Sequence, residues 1–420
     1  MRLIRKSLQA IICLVLIDGT SIAQWMHADV PHGIVVNELA VGSFGRFFAG
    51  TRGNGVFLST NNGTTWTAVD SGLTNTDVTC LTVSGTNVFA GTMGGGVFCS
   101  ANNGTSWTSV DSGLTNLNVS CLVPSGKTLL AGTYWNGVFL STNDGASWTH
   151  DNDADLMLSW EECFAVSGTK VFAGVFDGGV WESGDNGVTW RWLFPGPTPY
   201  AAPSIWCIAV NGTNIFTGGY LFPISTNGNE GITMSSDNGI NWYVSDSGLT
   251  STNVTSLVVS GTNVFAGTNG GGVFLSANNG ASWMAVDSGL TDSSVTCLAA
   301  SGTTLLAGTS GGGVWCRPLS EMVTNIKDRS SLPTHSLLQQ NYPNPFNPTT
   351  TISYDLPSAG HVTLKVFDAL GRRVETLVNE RELAGIHVVR FSGNSLPSGV
   401  YFYELQDGTS RQVNKMLLLK

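Results

Sequence analysis

The 420-residue chain carries 8 cysteines, 52 glycines and a formal charge of −10. Residues 24–318 hold 6 Lys and Arg against 19 Asp and Glu, a net of −13, and a surface of that sign repels nucleic acid phosphates and acidic membranes. No CxxC pair is present, so the cysteines offer no metal cluster.

Residues 1–23 read as a secretory signal: Arg2, Arg5 and Lys6, an apolar run over 8–17, then small Ser21 and Ala23 ahead of a cleavage site. The run is too short to span a bilayer and no other stretch is longer, so the mature chain is expected to be exported and to have no transmembrane segment.

Residues 87–115, NVFAGTMGGGVFCSANNGTSWTSVDSGLT, recur along the next 295 residues or so. Phe48, Phe89, Leu130, Phe172, Phe216, Phe265 and Leu306 hold one position, spaced 41, 41, 42, 44, 49 and 41 residues apart. Within a unit, 78–83, 88–92, 96–100 and 107–110 read as four short strands separated by Gly and Asn turns. A four-stranded repeat of about 40–45 residues has the length of a propeller blade.

The turn before the last strand, Ser59-Thr60-Asn61-Asn62-Gly63-Thr64-Thr65-Trp66, fits Ser-x-Asp/Asn-x-Gly-x-x-Trp, as do the segments ending at Trp107, Trp148, Trp190, Trp242 and Trp283. These resemble the Asp-box, or sialidase-type (BNR), repeats of bacterial propellers. Asn or Asp can accept backbone N–H groups of its own turn, Gly supplies a positive φ, and each Trp is expected to be buried. Packing accounts for every box residue, so the boxes read as scaffold.

The seventh unit ends at Cys316 without a box, while Trp25-Met26-His27-Ala28-Asp29 matches Trp283-Met284-Ala285-Val286-Asp287. The fold class is therefore all-β: a seven-bladed β-propeller over 24–318 whose N-terminal strand closes the last blade. Cys80, Cys121, Cys163, Cys207 and Cys297 share one position on first strands and read as small buried hydrophobes instead of disulfides.

Subtracting the repeat leaves loops that the fold does not require. The loops entering each first strand and those between second and third strands emerge on one face. There the sequence places Tyr134, Trp135, Trp160, Phe176, Asp177, Tyr220 and Phe222, an aromatic shelf suited to sugar rings or an extended peptide. Asp151, Asp153, Asp155 and Glu162 match the acidic positions of an EF-hand-type loop, but Leu156 stands where that loop needs Gly. Calcium is thus the alternative to a solvated acidic loop, and no other cofactor is implied. Glu38 and Glu162 occupy one repeat position in blades 1 and 4 and are the carboxylates a glycoside hydrolase could use. Across a seven-bladed ring they lie beyond the reach such a pair needs. The sialidase resemblance would further imply an arginine cluster and a Tyr/Glu nucleophile pair, whereas Arg46, Arg52, Arg191 and Arg317 are scattered. The fold itself does not choose between binding and catalysis. A non-catalytic glycan- or protein-binding module is the preferred expectation, with a propeller-type extracellular glycoside hydrolase as the alternative.

Residues 319–340 break the period and read as a linker. Beyond it, alternating runs with Gly and Pro turns indicate a small immunoglobulin-like β-sandwich over 341–420. The opening YPNPFNPTT at Tyr342, the segment Val366-Phe367-Asp368-Ala369-Leu370-Gly371-Arg372, the turn Leu396-Pro397-Ser398-Gly399-Val400-Tyr401 and the ending Lys415-Met416-Leu417-Leu418-Leu419-Lys420 closely resemble the type A C-terminal sorting domain of the type IX secretion system. That resemblance implies the secretion machinery as partner, passage across the outer membrane, and a secreted or cell-surface destination.

Overall fold

The computed structural model describes residues 24–28, 30, 33–150, 162–194, 204–220, 230–322, 337–338, 341, 344–356, 360–382, 385–408 and 410–419. The expected signal segment lies outside them. Seven four-stranded antiparallel sheets follow one another along the chain. The first is Val36–Val41, Phe47–Thr51, Gly55–Ser59 and Thr67–Ala68. The seventh takes Val295–Ser301, Thr304–Thr309 and Val314–Pro318, and its outermost strand is Met26–His27, registered Met26 to Cys316 and His27 to Trp315. The first strand of each blade packs on that of the next, and blade 7 returns to blade 1, closing the ring.

The core lies between blades. Phe48 and Val56 of blade 1 pack with Val78, Val88, Ala90, Phe98 and Trp107 of blade 2. A single blade thus cannot bury its own apolar faces, and the closed ring is what makes the sequence stable.

The boxes form as their composition dictates. Ser59 Oγ donates to Asn61 Oδ1 (2.9 Å) and accepts the Gly63 N–H (3.0 Å), while Asn61 Oδ1 accepts the Thr65 N–H (3.0 Å). Asn62 and Gly63 take φ of 57° and 83°. In blade 5 the box acid is Asp237; hydrogen bonds from Asn241, then Ser235, hold its carboxyl down at about 2. In each box the acid or amide oxygen accepts from the Ser hydroxyl and the backbone of its own turn.

How the tryptophan is held depends on the preceding blade. The turn Asp70-Ser71-Gly72-Leu73 closes on itself, Leu73 N–H to Asp70 O at 2.9 Å, and Ser71 O accepts the Trp107 N–H at 2.9 Å. Gly72 has φ +85°, and a Cβ there would lie 2.4 Å from Trp107 O, so only glycine fits. Trp107 Nε1 then donates to Val69 O at 2.6 Å. Trp148, Trp283 and Trp25 repeat this, donating to Val110, Ser245 and Val286 of the preceding blade. The Asp-Ser-Gly-Leu turn is missing from the sequence after Trp66's, Trp190's and Trp242's preceding blades. Trp66 and Trp242 donate instead to Gly63 and Gly239 of their own boxes. Trp190 and Trp242 are only half-buried, against the expectation of six buried tryptophans. Trp190 stacks on Phe164, centroids 6.3 Å apart.

The C-terminal region forms two sheets. Leu337–Leu338, Thr349–Leu356 and Gly385–Ser392 make one; Arg373–Glu382, Gly360–Asp368, Gly399–Asp407 and Ser410–Leu418, in that spatial order, make the other. Tyr354, Val362, Leu364, Val366, Phe391, Tyr403 and Met416 fill the space between them. The opening motif caps this sandwich: Phe346 is 2% exposed, its N–H bonds Leu417 O at 2.9 Å, and Asn344 Oδ1 accepts the Leu417 N–H at 2.9 Å. Leu319 and Met322, on a helical turn at 319–322, pack into the cluster shared by blades 6 and 7.

Candidate functional site

The turns joining second to third strands share one geometry in the regular blades. Thr51, Thr92, Thr133, Thr268 and Thr309 each donate through Oγ1 to the carbonyl of the glycine four residues on, at 2.8–3.1 Å. Two residues after that Thr, Gly53, Gly94 and Gly270 take φ of 77°, 82° and 86°. Blade 3 puts Trp135 there with φ 59°, and blade 4 puts Asp177 there with φ 54°. Positive φ is unfavourable for any residue with a Cβ and is unusual for a bulky one. Among the described residues nine non-glycines have positive φ; six belong to the boxes, and the remaining three are Phe44, Trp135 and Asp177.

Trp135 is 59% exposed on a turn that is fastened from both sides. Asn136 Nδ2 donates to Thr115 Oγ1 at 2.8 Å, Tyr134 N–H to Asn118 O at 3.0 Å, Asn116 Nδ2 to Tyr134 O, and His150 Nε2 lies 2.8 Å from Asn136 O. Met93 and Leu117 flank it, 38% and 39% exposed, with Leu117 O accepting the N–H groups of Gly94 and Gly96 at 3.1 and 2.9 Å. Both extend the expected shelf; Met93 was legible in principle, because it occupies the repeat position of Tyr134. On the other side, Phe176 is half-buried, and Asp177 accepts from Ser204 Oγ at 2.6 Å, tying blade 4 to blade 5. The structure thus brings Tyr134 and Trp135 together on one turn and places Phe176 and Asp177 on the equivalent turn of the next blade. Tyr220 ends the strand Asn214–Tyr220; Trp160 and Phe222 lie outside the described residues.

Asp151, Asp153 and Asp155 also lie outside them, and of Glu162 only the strand Glu162–Ser167 is described. Among the described residues no group of three or more His, Cys, Asp or Glu is arranged to hold a metal ion.

Glu38 requires a correction. It pairs with Gly50, as Cys80 pairs with Gly91 and Cys163 with Gly174, so it occupies the cysteine position and not that of Glu162. The hairpin after it, closed by Gly42 N–H to Arg46 O at 2.9 Å, is one residue longer than its counterparts and shifts the register. That same hairpin holds up Phe44, 93% exposed. Burial pushes the Glu38 carboxyl up to about 7 against one opposing bond from the Leu39 N–H. Its charge in turn adds to the burial that raises the thiols of Cys80 and Cys297. A lone carboxyl between thiols is not the carboxylate pair of a retaining or inverting glycosidase. Among the described residues no two cysteines are joined in a disulfide, and Cys121 and Cys163 are half-buried, against the expectation of buried side chains.

Residues 45–173 match a β-propeller domain family of unassigned function, DUF6242, and residues 340–419 match the secretion system C-terminal sorting domain. No curated protein matches the chain. Among solved structures, PorZ of Porphyromonas gingivalis, described as an essential surface component of its type IX secretion system, is similar at 17% identity and TM-score 0.54 over 93% of this chain. The chain spans only 60% of that PorZ structure. YCF48 bound to D1 peptide is similar at 13% identity and TM-score 0.58, covering 71% of this chain and 98% of its own. The GH74 enzyme of Niastella koreensis is similar at 17% identity and TM-score 0.52, covering 68% and 43%. At these identities the likeness is one of fold. The chain is a seven-bladed β-propeller that carries a secretion-system sorting domain at its C-terminal end.

Proposed function

We propose that the chain is an exported propeller, displayed at the cell surface or released, whose loop face over blades 2 to 4 binds a glycan or a protein segment without catalysis. The observation that carries this reading is Trp135. A left-handed bulky residue costs about 1–2 kcal/mol relative to glycine, and here it holds a large aromatic ring in solvent where blades 1, 2 and 6 keep a left-handed glycine. Local strain concentrates at ligand-binding positions, because the surrounding structure must override it. Met93, Leu117 and Phe176 extend the apolar surface on either side. YCF48, which shares the fold, was solved with a peptide bound, and that supports a peptide as one of the two ligand classes.

The test is a glycan and peptide array probed with the purified full chain, paired with reducing-sugar release on any glycan that binds. Binding without release, lost in Trp135→Ala, supports the reading. Release of sugar contradicts it, and so does binding that Trp135→Ala leaves intact.

A further inference from the structure

Most motif residues of the sorting domain hold its fold. Asn344 and Phe346 cap the last strand, Asn341 Nδ2 donates to Thr350 Oγ1 at 2.8 Å, and Tyr401 OH donates to Pro397 O at 2.8 Å. Leu370 does not. It is 78% exposed at the tip of a turn that Asp368 fastens: Oδ1 accepts the N–H groups of Leu370 (3.0 Å) and Arg372 (2.9 Å), and Oδ2 accepts Arg372 Nε at 2.7 Å. Gly371 supplies φ +75°. The leucine is therefore held out in water by a rigid turn, not left there by a loose one.

The surface beside it is unusual as well. On the inner face of the four-stranded sheet, Val362, Leu364, Val366, Tyr403 and Leu405 are at most 1% exposed. The outer face of such a sheet is expected to be polar. Here Phe367 pairs across strands with Phe402, and with Val413, 48% exposed, they line a shallow hollow of about 310 Å³. The register sets five cations on the same face, Lys365, Arg373, Arg381, Arg411 and Lys415, against the carboxylate of Glu404, and the second carboxylate lining the hollow, Asp368, is paired with Arg372 at 2.7 Å. Glu404 is already held by Arg411 at 2.6 Å. The face is thus basic and aromatic, opposite in sign to the propeller.

We propose that this face, with Leu370 at its rim, is the surface by which the secretion machinery recognises the sorting domain. Its partner is an acidic protein surface with an apolar pocket that takes the leucine. Charge complementarity selects the acidic partner, and a rigid, exposed apolar tip beside an aromatic hollow has the form of an interface hot spot. The inference rests on the sorting-domain match and is independent of what the propeller binds.

The test expresses the full-length chain in a host that possesses the machinery and compares surface plus medium with periplasm. Leu370→Asp and, separately, Lys365→Glu with Lys415→Glu should cut the exported amount by about tenfold or more, the scale of one hot spot. Uncleaved protein should accumulate in the periplasm, with an unchanged melting temperature. Arg390→Glu, exposed on the other sheet, should export normally. Wild-type export of both face variants overturns the proposal, and so does an equal loss in Arg390→Glu. If Leu370→Asp melts early, the charge-reversal variant decides alone.

Discussion

Blades 2 and 5 are built on the same four strands, yet they hold their tryptophans differently. Trp107 is 3% exposed and bonds the preceding blade; Trp242 is half-buried and bonds its own turn. The same division recurs elsewhere. Thr92 closes the turn of blade 2, where blade 4 has Val175. On the first strands, Thr79 and Thr255 donate to Val119 O and Val295 O of the next blade at 2.5 and 2.7 Å, where blade 5 has Trp206. Repetition gives each blade fasteners within its own turns and from a neighbour one repeat away, and blades 4 and 5 have exchanged several of them for other side chains. Blade 4 substitutes an ionic one: Glu182, 6% exposed, meets Lys170 and Arg191 at 2.5 Å each. Burial pushes its carboxyl up, but the two cations outweigh that and hold it below the usual range.

The sharpest way to break this comparison is to truncate the two tryptophans. Trp107→Ala should cost about 3–5 kcal/mol as a large core deletion, whereas Trp242→Ala, half-buried, should cost about 1–2 kcal/mol. Equal losses in denaturant unfolding would erase the distinction between the two kinds of blade.

Next in size is Glu38, which stands where five blades place a cysteine. Its folded pKa, about 7, exceeds the ordinary 4.5, so the folded state binds the proton more tightly than the unfolded one. Its stability contribution is therefore complete below pH 4.5 and is lost as pH rises through 7. Glu38→Gln should stabilise the chain at pH 8 by about 3 kcal/mol, at 1.36 kcal/mol per unit, and change little at pH 4. A stability curve across that range with the same slope in both proteins would contradict the buried position of the carboxyl.

Thr92→Val removes one buried hydrogen bond and should cost about 1 kcal/mol. Val175→Thr, the reverse change in blade 4, should cost less than that or stabilise slightly. A larger loss at Val175 than at Thr92 would show that blade 4 is not simply a blade without that fastener.

Much of the scaffold was legible because its rules are local and repeated. The Asn61 and Gly63 turn chemistry, the shared strand position of the cysteines and the strand Met26–His27 closing blade 7 all follow from matching one unit to another. Glu38 was misplaced for the same reason. Spacing alone cannot say where within a repeat an extra residue falls, and the longer hairpin at Gly42 to Arg46 hid a one-residue shift that reverses a strand's side-chain positions. The half-burial of Trp190 and Trp242 depends on a turn in the preceding blade, so it is invisible in their own boxes. Trp135 stands out in the sequence as an aromatic in a loop; that it replaces a positive-φ glycine is legible by aligning it with Gly53, Gly94 and Gly270. In the sequence Leu370 is one residue of a family motif, and only its exposure separates it from the residues that hold the fold.

The most direct measurement is Trp135→Gly, taken through thermal unfolding and ligand binding side by side with wild type. Relief of left-handed strain should leave the melting temperature unchanged or raise stability by about 1 kcal/mol, while binding to the loop face is lost. A lower melting temperature with binding intact would mean that Trp135 holds the fold together and that the ligand site lies elsewhere.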